Sequence, residues 1–448
     1  MKKYLITIFK KWSVGTPTTA VRQSWCPHQP FIQKYLITAF AFCFLFMAAS
    51  SQTRSLSDVL NEIQIGNSSL KVYDANIRSL DATSKGARSW MPPEIGTGFW
   101  MTPYNPKFWK GDNTSFGMGQ YMVSAMQTFP NKKRQDAEEK YLRSLSSSEK
   151  DRRQAAANDL FAQAKLNYYQ WLVLKKKLAI LSENEKLLNF MIKDAETRYK
   201  NGLEKISAYY KAKAALGNVK NQQLVAESEI RMYRIQLNTL MNKEKLQQFE
   251  IDTTYSIKNY FTNDFDTVTL INSRSDIKAL EKEIQINQLE QNLENAKLKP
   301  EFGLQYDHMF GFGKLPMQFS LVATVKFPMA KWSSRGAKAN VESLQFKSES
   351  LNLQKQSIVN DASGMVFQLK NNIELKKNQL KLFEENIIPA LKKNYQTMQL
   401  GYGQNTEELF TLFDAWQTLN MTQLEYLDLL KELLSMQVEL EKTLEVKL

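Results

Sequence analysis

The chain is poor in the residues that most reaction centres use. It has two cysteines and two histidines in 448 residues. Cys26, Cys43 and His28 all fall in the segment 1–51, which reads as a signal peptide with an extended leader. Lys34 precedes an apolar run over 35–47, and Ala48-Ala49-Ser50-Ser51 follows it. The run has about thirteen residues, against the roughly twenty of a spanning helix. Lys3-Tyr4-Leu5-Ile6-Thr7 resembles the start of that run, which points to a downstream initiation site. Cys43 follows Phe40-Ala41-Phe42, not the small residues of a lipoprotein signal. Cleavage near Ser51 leaves no thiol and one histidine, His308. That excludes a thiolate nucleophile, a disulfide framework and a His-rich metal site within one chain. The leader holds no Asp or Glu, so the net charge falls from +13 to +7 without it. The remaining excess is diffuse, and no basic block interleaves with aromatics, so nucleic acid is not an expected partner.

Proline is scarce too, at 12 residues, and none lies between Asn131 and Tyr199. A helix over 131–199 would reach about 100 Å. What is present is a repeat. Pro93-Glu94-Ile95-Gly96 matches Pro300-Glu301-Phe302-Gly303, and Ala125 to Pro130 matches Ala323 to Pro328. Gly202 and Gly401 follow at similar distances. The period is too long for a solenoid and reads as a duplicated half-molecule. Helices are expected over 55–88, 131–199 and 203–245, then over 276–299, 330–400 and 406–444. Leu344, Leu351, Ile358 and Met365 fall seven apart, beside Val341, Ser348, Lys355, Ala362 and Leu369. That is a coiled-coil seam with small residues. Phe346, Leu353 and Phe367 add a second apolar flank, as in a cylinder of helices.

Between the first two helices of each half the period changes to two. Phe319, Leu321, Ala323, Val325 and Phe327 alternate with polar positions, as do Phe302, Leu304 and Tyr306 before them. The first half supplies a matching hairpin over 95–104 and 116–129. Alternation over about nine residues fits a membrane barrel strand, apolar outside and polar inside. By that parity Met122, Met126, Gln305, Asp307, Ser320 and Thr324 face the lumen. Four strands cannot close a barrel and open edges are not tolerated in lipid, whereas three chains would give twelve strands.

The order of these parts resembles the TolC-like outer-membrane efflux proteins. The resemblance runs over 55–444 and is carried by Arg198-Tyr199-Lys200-Asn201-Gly202-Leu203, by Leu400-Gly401-Tyr402-Gly403 with Glu407-Glu408-Leu409, and by Asn272 to Ile277. In the last, Ser275 stands where the family usually has proline. The resemblance implies a mainly α fold with a small β part. Duplicated long-helix coiled-coil hairpins would build a periplasmic α-barrel, and four strands would contribute to a trimeric 12-stranded outer-membrane barrel. The domains follow as 1–51 leader, 52–245 first repeat, 246–275 equatorial linker and 276–448 second repeat.

The same resemblance implies a passive exit duct in the outer membrane, with its helical tunnel in the periplasm. It would be a homotrimer in outer-membrane lipid. It would dock on a periplasmic adaptor, a membrane fusion protein, and through it serve an inner-membrane pump of RND or ABC type. Gly202, Leu203, Gly401 and Tyr402 would be the docking tips, with the glycines in left-handed turns. Glu407 and Glu408 would line the periplasmic gate, although Phe410 stands where a second acid is expected. Drug, heavy-metal and type I secretion systems share such a component. Met91, Met101, Met118, Met122, Met126, Met309 and Met317 crowd the hairpins, and thioethers suit Cu(I) or Ag(I). Methionine equally fills apolar space, which is the reading adopted. A periplasmic adaptor is the alternative, but it would carry one hairpin and a lipoyl-like β domain. An enzyme lacks support, since no constellation of titratable groups stands out. No cofactor is expected.

Overall fold

The computed structural model describes residues 53–112, 114–258, 267–328 and 330–445. The expected leader, 1–51, lies outside the described residues.

Helix α1 (Leu56–Gly66) starts on a capping box. The Ser55 hydroxyl accepts from the Asp58 amide at 3.2 Å, and the Asp58 carboxylate accepts from the Ser55 amide at 3.0 Å. The helix expected over 55–88 is interrupted at Asn67, which is extended at φ −64°, ψ 126°. Its side chain caps α2 (Ser68–Lys85) and donates to the Leu240 carbonyl at 2.8 Å. A tertiary partner therefore sets this break.

The long elements follow the absence of breakers. Helix α3 (Lys132–Lys200) runs 69 residues, or about 100 Å. Helix α4 (Ile206–Leu240) returns along it. In the second repeat, α6 (Ser275–Ala296) corresponds to α2. Helix α7 (Lys331–Leu382) continues through a π turn (Phe383–Ile387) into α8 (Ile388–Gly403), and α9 (Leu409–Leu444) returns. The expectation of one regular helix over 330–400 is corrected here. Pro389 has no amide hydrogen for the helical ladder, and the wider turn just before it lets the rod continue.

Helix α3 packs on α2, α4, α6 and α9, while α7 packs on α6 and α9. The largest core lies near mid-length, where Trp171, Leu172, Leu237, Phe249, Leu270, Ile373 and Leu430 are all buried. Each such side chain contributes about 1.5–3 kcal/mol. The expected heptad seam faces inward, with Leu351 and Ala362 buried and Leu344 and Ile358 half-buried. Phe346, Leu353 and Phe367, by contrast, stay 59–66% exposed.

The described parts of the segment 246–275, residues 246–258 and 267–275, are built into the body. Strand β1 (Thr53–Arg54) pairs in parallel with β4 (Glu250–Ile251). Beyond it the Tyr168 hydroxyl donates to the Asp252 carbonyl at 2.9 Å and Lys377 Nζ donates to the Lys258 carbonyl at 2.8 Å. Buried Glu441 binds Lys165 at 2.7 Å and Lys258 at 3.0 Å. Helix α5 (Thr267–Ser273) then leads into α6. No helix among the described residues is long and apolar enough to cross a membrane.

Candidate functional site

Two regions carry the expected functional residues: a sheet at one end of the long helices and two turns at the other. The sheet contains β2 (Glu94–Trp100), β3 (Gln120–Phe129), β5 (Glu301–Gly311) and β6 (Gln318–Lys326), antiparallel in the order β2-β3-β5-β6. Its register follows from the alternation, because a slip of one residue would exchange the faces. Met122 opposes Met309, Met126 opposes Gln305, Ser124 opposes Asp307, Asp307 opposes Ser320 and Gly303 opposes Thr324. Paired residues share a face, so Met122, Met126, Gln305, Asp307, Ser320 and Thr324 all lie on one. Asp307 is 5% exposed there, accepting from Gln305 at 2.9 Å and from Ser320 at 2.7 Å. The other face presents Ile95, Phe99, Leu304, Tyr306, Phe319, Leu321 and Val325, all exposed. His308 lies among them, with its ring 4.5 Å from that of Phe310.

Aromatics gather at both ends of the apolar face. Trp90 meets Phe129 edge-on at 5.5 Å at the helix end. At the far end Trp109 stacks on Phe312 at 5.3 Å and reaches Phe99 at 5.8 Å. The loop carrying Trp109 is tied to the β5–β6 turn by the Gly117 amide, which donates to the Gly313 carbonyl at 2.8 Å. Side chains would not fit in this seam: a Cβ on Gly117 would sit 2.3 Å from the Trp109 carbonyl oxygen.

At the opposite end, α3 closes with Gly202 at φ +72°. Its amide donates to the Tyr199 carbonyl at 3.0 Å, and the Leu203 amide to the Arg198 carbonyl at 2.9 Å. This is a Schellman turn, which places glycine at the left-handed position. The second turn repeats the motif in a different register. There the Asn405 amide donates to Tyr402 and the Thr406 amide to Gly401. The left-handed residue is Asn405, at φ 58°, and Gly401 is helical. The expected pairing of Gly202 with Gly401 is thus corrected to Gly202 with Asn405. Gly401 is needed for space, since a Cβ there would meet Glu407 Cγ at 2.7 Å.

Tyr402 points inward at 6% exposure, whereas Leu203 is 70% exposed. The Tyr402 hydroxyl donates to Asp194 at 2.5 Å. Burial and that bond push its phenol well above the usual range. Arg198 lies 4.1 Å above the ring, bonds Asp194 at 3.1 Å and donates to Asn405 at 2.6 Å. These four residues, which sequence reasoning did not connect, lock the two turns together. Behind them the Trp416 indole donates to Asn184 at 2.8 Å, and Asn184 to Asn420 at 2.6 Å. Glu407 accepts from Thr411 at 3.2 Å. Glu408 stands exposed at the α9 cap, and Lys211 sits 3.5 Å above the Phe410 ring.

Among the described residues, no three His, Cys, Asp or Glu side chains gather as a metal site.

A search of curated protein sequences finds no match. Solved structures do match. The outer-membrane channel OprN aligns at TM-score 0.71 and 15% identity, over 87% of this chain and 89% of that one. The outer membrane protein VceC of Vibrio cholerae aligns at 0.69 and 14%, over 87% and 95%. CusC, whose description refers to transmembrane channel formation, aligns at 0.69 and 14%, over 87% and 91%. The profile of the family described as outer membrane efflux protein matches residues 59–243. That profile lies on the first repeat, and the fold shared with the solved channels runs through both repeats.

Proposed function

We propose that the protein is the outer-membrane exit duct of a tripartite export system, working as a passive homotrimeric conduit. The observation that carries this reading is the sheet. It is apolar on one face and polar on the other. Among the described residues its outer strands β2 and β6 have no second partner. They run antiparallel to each other, so β6 of one copy can pair with β2 of the next. Three copies then close a barrel without exposed edges, as lipid requires. The exposed stripe on α7 and the exposed Leu224, Val225 and Met232 on α4 give the helical parts apolar seams for neighbouring copies.

In this duct Met122, Met126, Gln305, Asp307, Ser320 and Thr324 line the lumen. The turns at Gly202, Leu203 and Gly401 meet a periplasmic adaptor, which connects them to an inner-membrane pump. Tyr402 acts behind that surface by holding the turns together. Glu407 and Glu408 stand at the tunnel mouth, where symmetry-related carboxylates would favour cations. Bond chemistry has no place in this role.

Purified envelope protein run with and without heating tests the reading, together with planar-bilayer recording. The expected result is a heat-sensitive trimer in the outer-membrane fraction that forms discrete conducting pores. A monomer that stays soluble in the periplasm would overturn it.

A further inference from the structure

We propose that the helix-end rim of the second repeat is a docking strip for anionic phospholipid headgroups. The inference rests on the barrel reading above. Lys331, Arg335 and Lys338 occur at i, i+4 and i+7, so they share one face of α7 over about 10 Å. All three are exposed, and among the described residues none of them makes a hydrogen bond or an ion pair. No Asp or Glu occurs in sequence between Asp307 and Glu342.

The equivalent rim of the first repeat is different. There Arg88 binds Asp136 at 3.2 Å and Glu139 at 2.5 Å, and Arg134 binds Glu301 at 2.5 Å. The first rim interleaves its cations with Asp136, Glu138 and Glu139, although Lys132 and Lys133 have no side-chain partner among the described residues, whereas the second rim has no acid in sequence until Glu342. The cations of the second rim sit where the apolar strand face ends. Phe327 is 60% exposed at that boundary and Trp332 is 85% exposed one residue after Lys331. Tryptophan at such a boundary places an amphipathic ring at headgroup depth. Beside the cations runs a row of Trp332, Gly336 and Ala339, and a Cβ on Gly336 would meet nothing within 4 Å. The strip thus offers three charges for phosphodiesters and a shallow apolar lane for the glycerol and upper acyl chain. A zwitterionic headgroup would gain little from the charges, so the chemistry selects a net anionic lipid.

The test reconstitutes the full chain into phosphatidylethanolamine vesicles with and without phosphatidylglycerol. Lipid retained by the re-extracted trimer is then counted. Wild type should retain phosphatidylglycerol preferentially. Lys331→Gln/Arg335→Gln/Lys338→Gln should form the trimer and lose that preference, by about a hundredfold if the charges act independently. Lys132→Gln/Lys133→Gln on the other rim, where Asp136, Glu138 and Glu139 oppose anionic lipid, should lower the preference less than the triple variant does. Undiminished retention in the triple variant would overturn the strip. So would its failure to form trimers, which would make these cations a contact between copies. A wild-type chain that inserts into neither vesicle would overturn the barrel reading, and the strip with it.

Discussion

The two repeats use their long helices in opposite ways. Helix α3 is enclosed at its middle: Trp171 and Leu172 are fully buried, and their neighbours Tyr168 and Val173 nearly so. Helix α7 carries apolar residues along two flanks but covers only one. Phe346, Leu353, Phe367, Leu375 and Leu382 remain 49–66% exposed. Duplication therefore gave two rods of one pattern and two duties. The first rod organises the protomer. The second carries a surface that a lone chain leaves wet, and in the proposed trimer its energetic return comes on assembly.

Substitutions can break this contrast. The largest effect is expected at Trp171, where Trp171→Ala should cost the protomer about 3–5 kcal/mol. Chemical unfolding followed by circular dichroism would read it, and loss should precede any question of assembly. On the sheet, Leu321→Arg should weaken barrel assembly by about 2–4 kcal/mol if the site lies near mid-membrane. Ser320→Arg, on the polar face, should assemble and change single-channel conductance. Equal tolerance of both in unheated gels would defeat the assignment of faces. For the second rod, Leu353→Glu/Phe367→Glu should leave helical content intact and abolish the trimer. Each side chain forfeits up to about 1.5–3 kcal/mol of burial that exists only between copies. A trimer that survives would mean α7 faces water.

The turns should respond more weakly. Tyr402→Phe removes the bond to Asp194, worth about 1.5–3 kcal/mol because the acceptor is charged. It should raise channel opening and protease access at the turns while the trimer persists. Smallest of all, Glu407→Gln and Glu408→Gln should move stability by less than about 0.5 kcal/mol. Their effect should appear as reduced cation selectivity and reduced block by polyvalent cations. Unchanged selectivity in both would remove the gate role and leave the conduit standing.

Much of this was legible in the sequence where one local signal dominates. Alternation from Phe319 to Phe327 fixed both strand type and face, because a one-residue slip would invert every side chain. The proline-free stretch 131–199 announced α3. What escaped the sequence depends on distant partners. Asn67 breaks the first helix because its side chain reaches the Leu240 carbonyl. Pro389 lies within the helix expected over 330–400, and the π turn before it is a compromise of the ladder that composition does not announce. At the second turn a visible glycine drew attention from Asn405, which takes the left-handed position because its short side chain tolerates it. Tyr402 read as a surface residue until Asp194 and Arg198 were placed beside it.

The strand pairing also governs time. Strand β3 can make its hairpin with β2 early, but its other neighbour, β5, lies beyond α3, α4 and α6. Strand β1 likewise waits for β4. A chain emerging amino-terminus first would thus hold an exposed apolar hairpin through the whole interval in which the two longest rods of the first repeat are made. Such non-local pairing is slow, and the waiting hairpin is a target for wrong partners. Completion of the four-stranded sheet then depends on keeping the free edge of that hairpin unpaired until β5 arrives, a demand set by the order of the strands alone.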